Sequence, residues 1–183
     1  MAIQQFQDAL DLTPDDHPSR PSRLQSLGAG YGDRYRRTGA IADLEMAIQQ
    51  FQDALNLTPD NHPSRPSRLQ SLGAGYGDRY QRTGAISDLE IAIQHIQNAL
   101  GLTPDDHPSR PSQLQSLGAG YSSRYQRTGA ISDLEIAIQQ FQDALDLTPD
   151  SHLSYPSRLQ NLGAGYSSRY QRTGAIADLE IAI

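Results

Sequence analysis

The feature that most constrains this chain is an internal period of 45 residues. EMAIQQFQDALNLTP at Glu45–Pro59 returns as EIAIQHIQNALGLTP at Glu90–Pro104 and as EIAIQQFQDALDLTP at Glu135–Pro149. The chain opens inside the same phrase at Met1, so residues 1–45, 46–90, 91–135 and 136–180 are four copies with three residues over. Residues 1–45 and 46–90 differ only at Asp11/Asn56, Asp16/Asn61, Arg36/Gln81 and Ala42/Ser87. A fixed period of this size marks a solenoid, propeller or similar array, in which each copy buries its apolar face against its neighbours.

Apolar spacing within a copy separates helix from strand. Leu24, Leu27, Tyr31 and Tyr35 fall at i, i+3, i+7 and i+11, and Leu44, Ala47, Ile48, Phe51, Ala54 and Leu55 form a second stripe of the same kind. Both are one-sided helical stripes, and neither alternates as a strand does. The pattern predicts helix A over about Ser22–Thr38 and helix B over about Ala42–Leu57. Between them Thr38-Gly39-Ala40 breaks the helix, with Gly39 a left-handed terminator following arginines that suit a helix C-terminus. Asp43 and Glu45 sit in the first turn of helix B, where the dipole favours acids. The turn-rich Leu57–Pro63 leads to the next copy. The fold class is therefore all-α, an α-solenoid of stacked antiparallel helix hairpins. Residues 1–183 read as a single array with a partial helix B at each end.

LGAGYGDRY places three glycines in helix A, and each costs about 1 kcal/mol relative to alanine in a helix interior. Close approach of an adjacent helix at Gly28 and Gly30 is the simplest compensation. The third glycine, Gly32 or Gly77, becomes Ser122 and Ser167 and is not expected to serve packing.

Composition excludes several functions. The net charge is -6 and lysine is absent, so no basic patch awaits nucleic acid or an anionic membrane. Without cysteine there are no disulfides, thiolate nucleophiles or cysteine zinc sites. No apolar run approaches the roughly 20 residues of a membrane span. The opening MAIQQFQDAL lacks the features of a signal peptide, and a soluble, cytoplasmic protein is the resulting expectation. His17, His62, His107 and His152 recur once per copy. One histidine per copy places imidazoles too far apart for the ~2 Å bonds of a shared metal, so a structural role in the turn is expected. His95 replaces Gln50 and is expected at the solvated surface. The acids of TPDD and DLE are explained by helix starts and by pairing with Arg34 and Arg37. No nucleophile–histidine–acid arrangement stands out, and no enzyme activity, cofactor or metal is expected.

The copy resembles a tetratricopeptide (TPR) repeat along the whole chain. Leu24, Leu27-Gly28 and Tyr31 match the family pattern of helix A, and Ala47, Phe51, Ala54 and Pro59 match that of helix B. An extra turn of helix A, an earlier start of helix B and a longer loop extend the family's 34-residue unit to 45. The Asp-His-Pro step is similar to that of kinesin-light-chain-type repeats. The resemblance implies a right-handed superhelix and a protein or peptide partner lying along a concave face built by the A helices. On matching positions that groove comprises Gln25, Asp33, Arg36, Gln70, Asp78, Gln81, Gln115, Ser123, Gln126, Gln160, Ser168 and Gln171. The basic clamp of the chaperone-binding members is absent, because Gln and Ala stand at those positions. A protein-interaction scaffold is thus the expected function. The alternative is a structural array associating head to tail, since the chain begins at Met1-Ala2-Ile3 and stops at Ile181-Ala182-Ile183 inside helix B phrases.

Overall fold

A computed structural model describes residues 2–182, with side chains through residue 180. Met1 and Ile183, which the end-to-end expectation invokes, lie outside the described residues. Nine helices are found among them: α1 (Ala2–Asp11), α2 (Arg20–Thr38), α3 (Ile41–Asn56), α4 (Arg65–Thr83), α5 (Ile86–Gly101), α6 (Arg110–Thr128), α7 (Ile131–Asp146), α8 (Tyr155–Thr173) and α9 (Ile176–Ala182). No strand occurs among the described residues. Helix A begins two residues before the expected Ser22, because Pro at the start of α2 costs no hydrogen bond and its fixed φ suits a first turn. The A helices α2, α4, α6 and α8 each start 45 residues after the one before.

The helices form two compact units, residues 1–102 and 103–183. In the first, α1 packs on α2, α2 on α3, α3 on α4 and α4 on α5. In the second, α6 packs on α7, α7 on α8 and α8 on α9.

Each A helix ends at a glycine in the left-handed region. Gly39 has φ 70°, and its N–H donates to Tyr35 O at 2.7 Å. Gly84, Gly129 and Gly174 repeat the geometry. The turn is then fastened by side chains. Arg34 donates from Nε and Nη2 to the two oxygens of Asp43 at 2.6 and 2.5 Å, joining the last turns of α2 to the first of α3. Arg79–Asp88, Arg124–Asp133 and Arg169–Asp178 do the same. The four aspartates are buried. Hydrogen bonding to the guanidinium holds the carboxyls of Asp43 and Asp178 below the usual carboxylate range. The partner of these acids is the arginine at position 34, not Arg37.

The first unit's core joins Leu44, Ala47, Ile48, Phe51 and Leu55 of α3 to Leu69 and Leu72 of α4. A second cluster sets Leu10, Leu24, Leu27 and Ala54 together. Gly28 is where α2 and α3 touch: a Cβ there would lie 2.7 Å from the Phe51 ring and 3.2 Å from Ala47 O. Gly77 has nothing within 4 Å, in keeping with its replacement by serine in later copies. Tyr31 is half-buried, whereas its equivalent Tyr121 is buried. The Arg34 guanidinium lies 5.3 Å from the Tyr31 ring centroid, a cation–π contact repeated at Tyr76, Tyr121 and Tyr166.

His95 departs from expectation. It is half-buried in α5, stacked on Tyr76 with centroids 5.9 Å apart, and its Nδ1 is buried without a hydrogen-bond partner. Burial pushes its pKa below the ordinary value of 6.5. A base whose folded pKa is lowered binds protons more readily once unfolded. Its contribution to stability is therefore whole above about pH 6.5 and declines as pH falls below that value. We expect His95→Gln, which installs the residue found at Gln50 and Gln140, to flatten the loss of thermal stability between about pH 6.5 and 5. Equal slopes in both proteins would rule out this origin.

Candidate functional site: the groove of the A helices

Helix periodicity puts Gln25, Ala29, Gly32 and Arg36 on one stripe of α2, and Ser71, Ala74 and Asp78 on α4. In the first unit these stripes meet in a groove of about 210 Å³, floored by Leu44, Ala47 and Phe51 of α3. Gln25 Nε2 donates to Ser71 Oγ at 2.7 Å, tying the two A helices together. Its Oε1 is buried and has no hydrogen-bond partner. Arg36 pairs with the exposed Asp33 at 2.5 Å. Asp78 is half-buried; desolvation raises its pKa, and the nearby Arg36 charge opposes that rise.

Of the expected groove residues, then, the structure brings Gln25, Arg36 and Asp78 into one concavity, with Asp33 held at its edge by Arg36. Gln70 is half-buried and Gln81 exposed, and neither lines it. In the second unit Gln115, Ser123 and Ser168 are half-buried, while Gln126, Gln160 and Gln171 are exposed. Gln115 Oε1 repeats the buried, partnerless acceptor of Gln25. Ser168 Oγ donates within its own helix to Ala164 O.

Sequence reasoning missed a second set of polar residues, the arginines that open each A helix. Arg20 and Arg23 donate to Thr13 O and Ala9 O, closing the C-terminal end of α1. Arg65 donates to Thr58 O and Arg68 to Thr58 Oγ1, and that hydroxyl itself donates to Ala54 O in the last turn of α3. Arg158 bonds Thr148 Oγ1 and Ala144 O in the same way. These cations meet the unpaired carbonyls and negative dipole of a helix C-terminus. Where Arg20 pairs with Asp15 at 3.0 Å, Tyr155 instead stands near Asp150, and burial followed by that carboxylate's charge raises its phenol pKa. Leu153 is 98% exposed, and nothing in the structure explains it. The available signal was the absence of lysine. Arginine alone supplies several directed donors from one buried group.

The connector histidines are turn elements. Nδ1 of His17, His62, His107 and His152 accepts the N–H of the serine two residues on, at 3.1 to 3.2 Å. Among the described residues no group of three or more His, Cys, Asp or Glu could hold a metal. No helix among them is long and apolar enough to cross a membrane.

A–B hairpins stacked within each unit define a helical-repeat fold. That fold is TPR-like. Solved structures similar to this chain include nearly identical TPR-like repeats of a kinesin-light-chain candidate from Podosopora anserina, at TM-score 0.68 and 17% identity over 98% of this chain and 83% of that one. MamA is similar at TM-score 0.65 and 18% identity, over 98% and 84% of the two chains. The resemblance read from Leu27-Gly28, Tyr31, Ala47 and Phe51 is thereby borne out as a fold. No family model matches the chain, and no curated protein matches it.

Proposed function

We propose that this chain is a protein-interaction scaffold that takes an extended partner segment along its A helices. The observation that carries the reading is the groove itself. Ala29 and Ala74 are exposed on its walls and offer a segment apolar contact, and Arg36 and Asp78 give it polar groups to engage. Gln25, its amide fixed by Ser71, holds the two walls together. The mixed lining suits a peptide better than a polyanion.

Ala29 and Ala74 line the groove and are exposed, so Ala29→Arg with Ala74→Arg fills it without disturbing the core. Affinity capture from cell extract should recover partners with the parent chain and lose them with the double variant, both proteins keeping the same helical circular dichroism. Recovery of the chain itself as the groove-dependent partner would favour the self-assembling alternative. An unchanged set of captured proteins would refute the groove reading.

A further inference from the structure

Away from the groove, each unit holds a cavity between successive connectors. The one in the first unit has a volume of about 400 Å³ and is lined by His17, Ser22, His62 and Arg68, with Asp15 and Asp16 also on its wall. Its counterpart in the second unit has about 310 Å³, with His107, Ser112, His152 and Arg158 in the same places. The two arise from the same sequence positions 90 residues apart.

The donors in this cavity are set by bonds already described. An imidazole whose Nδ1 accepts a backbone N–H carries its own proton on Nε2 when neutral. His17 and His62 therefore each present an Nε2–H donor, as do His107 and His152. Arg68 and Arg158 are each only 5% exposed. Arg68 Nη1 donates to Thr58 Oγ1, and its Nη2 donates to Ser22 Oγ at 3.3 Å. Arg158 Nη2 donates to Ser112 Oγ at 3.4 Å. Among the described residues neither guanidinium is paired with a carboxylate, and burial lowers the pKa of both. A guanidinium has five N–H groups, so hydroxyl partners leave donors over. The end of the preceding B helix offsets part of the charge, but its dipole is a partial charge and not an ion.

A buried cation without an acid, in a cavity that two imidazoles also line, is a site for an anion. We propose that each cavity binds one small oxyanion of the carboxylate or phosphate class, held by the buried arginine and bordered by the two imidazoles. The aspartates limit which anion fits. Asp15 and Asp105 are neutralised by Arg20 and Arg110 at 3.0 and 2.9 Å, whereas Asp16 and Asp106 stand exposed at the rim. They disfavour an anion of high charge and leave one of low charge tolerated.

The test is histidine NMR on the full chain at low salt and a fixed pH of about 7.5, above the ordinary histidine range. Inorganic phosphate is titrated in one series and acetate in another. Saturable shifts are expected for His17, His62, His107 and His152, with His95 unmoved because it lies outside both cavities. Arg68→Gln should weaken the response of His17 and His62 by about tenfold or more, the loss expected for a charge-assisted bond, and spare His107 and His152. Arg158→Gln should do the converse. Glutamine is tolerated at this position, since Gln113 stands there buried in the third copy. Response to both anions supports the shared oxyanion chemistry, and response to phosphate alone narrows the ligand to phosphates. Shifts that never saturate, that include His95 equally, or that survive both substitutions would overturn the proposal.

Discussion

Phe141→Ala is expected to destabilise the second unit by about 3–5 kcal/mol, the range for deleting a buried phenyl ring. Phe141 is 5% exposed in α7, and its ring lies against Gly118 of α6 and Gly165 of α8. The ring thus fills the space that Gly118 leaves by having no Cβ, and Ile138 of the same helix fills the space at Gly165. The cavity left behind cannot collapse cheaply, because backbone on both sides is already in contact with α7. Total stabilities of small domains are about 5–15 kcal/mol, so the loss is a large part of the whole. Repeat proteins distribute stability over local and nearest-neighbour terms, so amide exchange should rise most in α6, α7 and α8. Urea unfolding monitored by circular dichroism, together with hydrogen exchange, measures both quantities. A loss below about 1 kcal/mol would mean that the ring is not the core element this packing implies.

The second large effect is a difference of sign between two chemically identical substitutions. Gly→Ala within a helix gains about 1 kcal/mol from backbone propensity. At Gly77 nothing lies within 4 Å, so Gly77→Ala should realise most of that gain. At Gly118 the new Cβ would sit 2.6 Å from Phe141 Cε1 and 3.2 Å from the Ala137 carbonyl. Overpacking of this kind costs about 1–3 kcal/mol, which outweighs the propensity gain. Gly118→Ala should therefore destabilise where Gly77→Ala stabilises. In a Phe141→Ala background the clash with the ring is relieved while the Ala137 carbonyl contact remains, and the cost of Gly118→Ala should fall. A double-mutant cycle measures that coupling. Equal effects at the two glycines would show that helix propensity alone governs both sites.

These glycines also show how far the sequence is legible. The 45-residue period, the two apolar stripes and Gly39 lead to the right helices, with boundaries one or two residues off. Three glycines in one helix demand compensation, which points to close approach at Gly28 and Gly30, while Ser122 and Ser167 in later copies set the third apart. Asp43 and Arg34 were also expected as partners. The arginines that close the B helices were not. Arg68 looks like a solvated charge, since its acceptor is Thr58 Oγ1 and the 10-residue separation belongs to no regular spacing. Whether a long polar chain folds back over a helix end depends on the connector's path, which periodicity does not encode. His95 was misplaced for a related reason: its helix position alone does not reveal that the Tyr76 ring lies against it. For the groove, stripe geometry placed Gln25, Arg36 and Asp78 together. It gave no sign that Gln25 would spend its amide on Ser71 and leave Oε1 unmet.

Photo-crosslinking from within the groove tests the scaffold reading most directly. A photoreactive residue is placed at Ala74, in the groove wall, or at Gln94, exposed on α5 and outside the groove, in otherwise unchanged full-length chains. A scaffold that uses the A helices gives a covalent adduct with a defined partner segment from Ala74 and little or none from Gln94. Adducts of equal yield at both positions, or from Gln94 alone, would contradict the account.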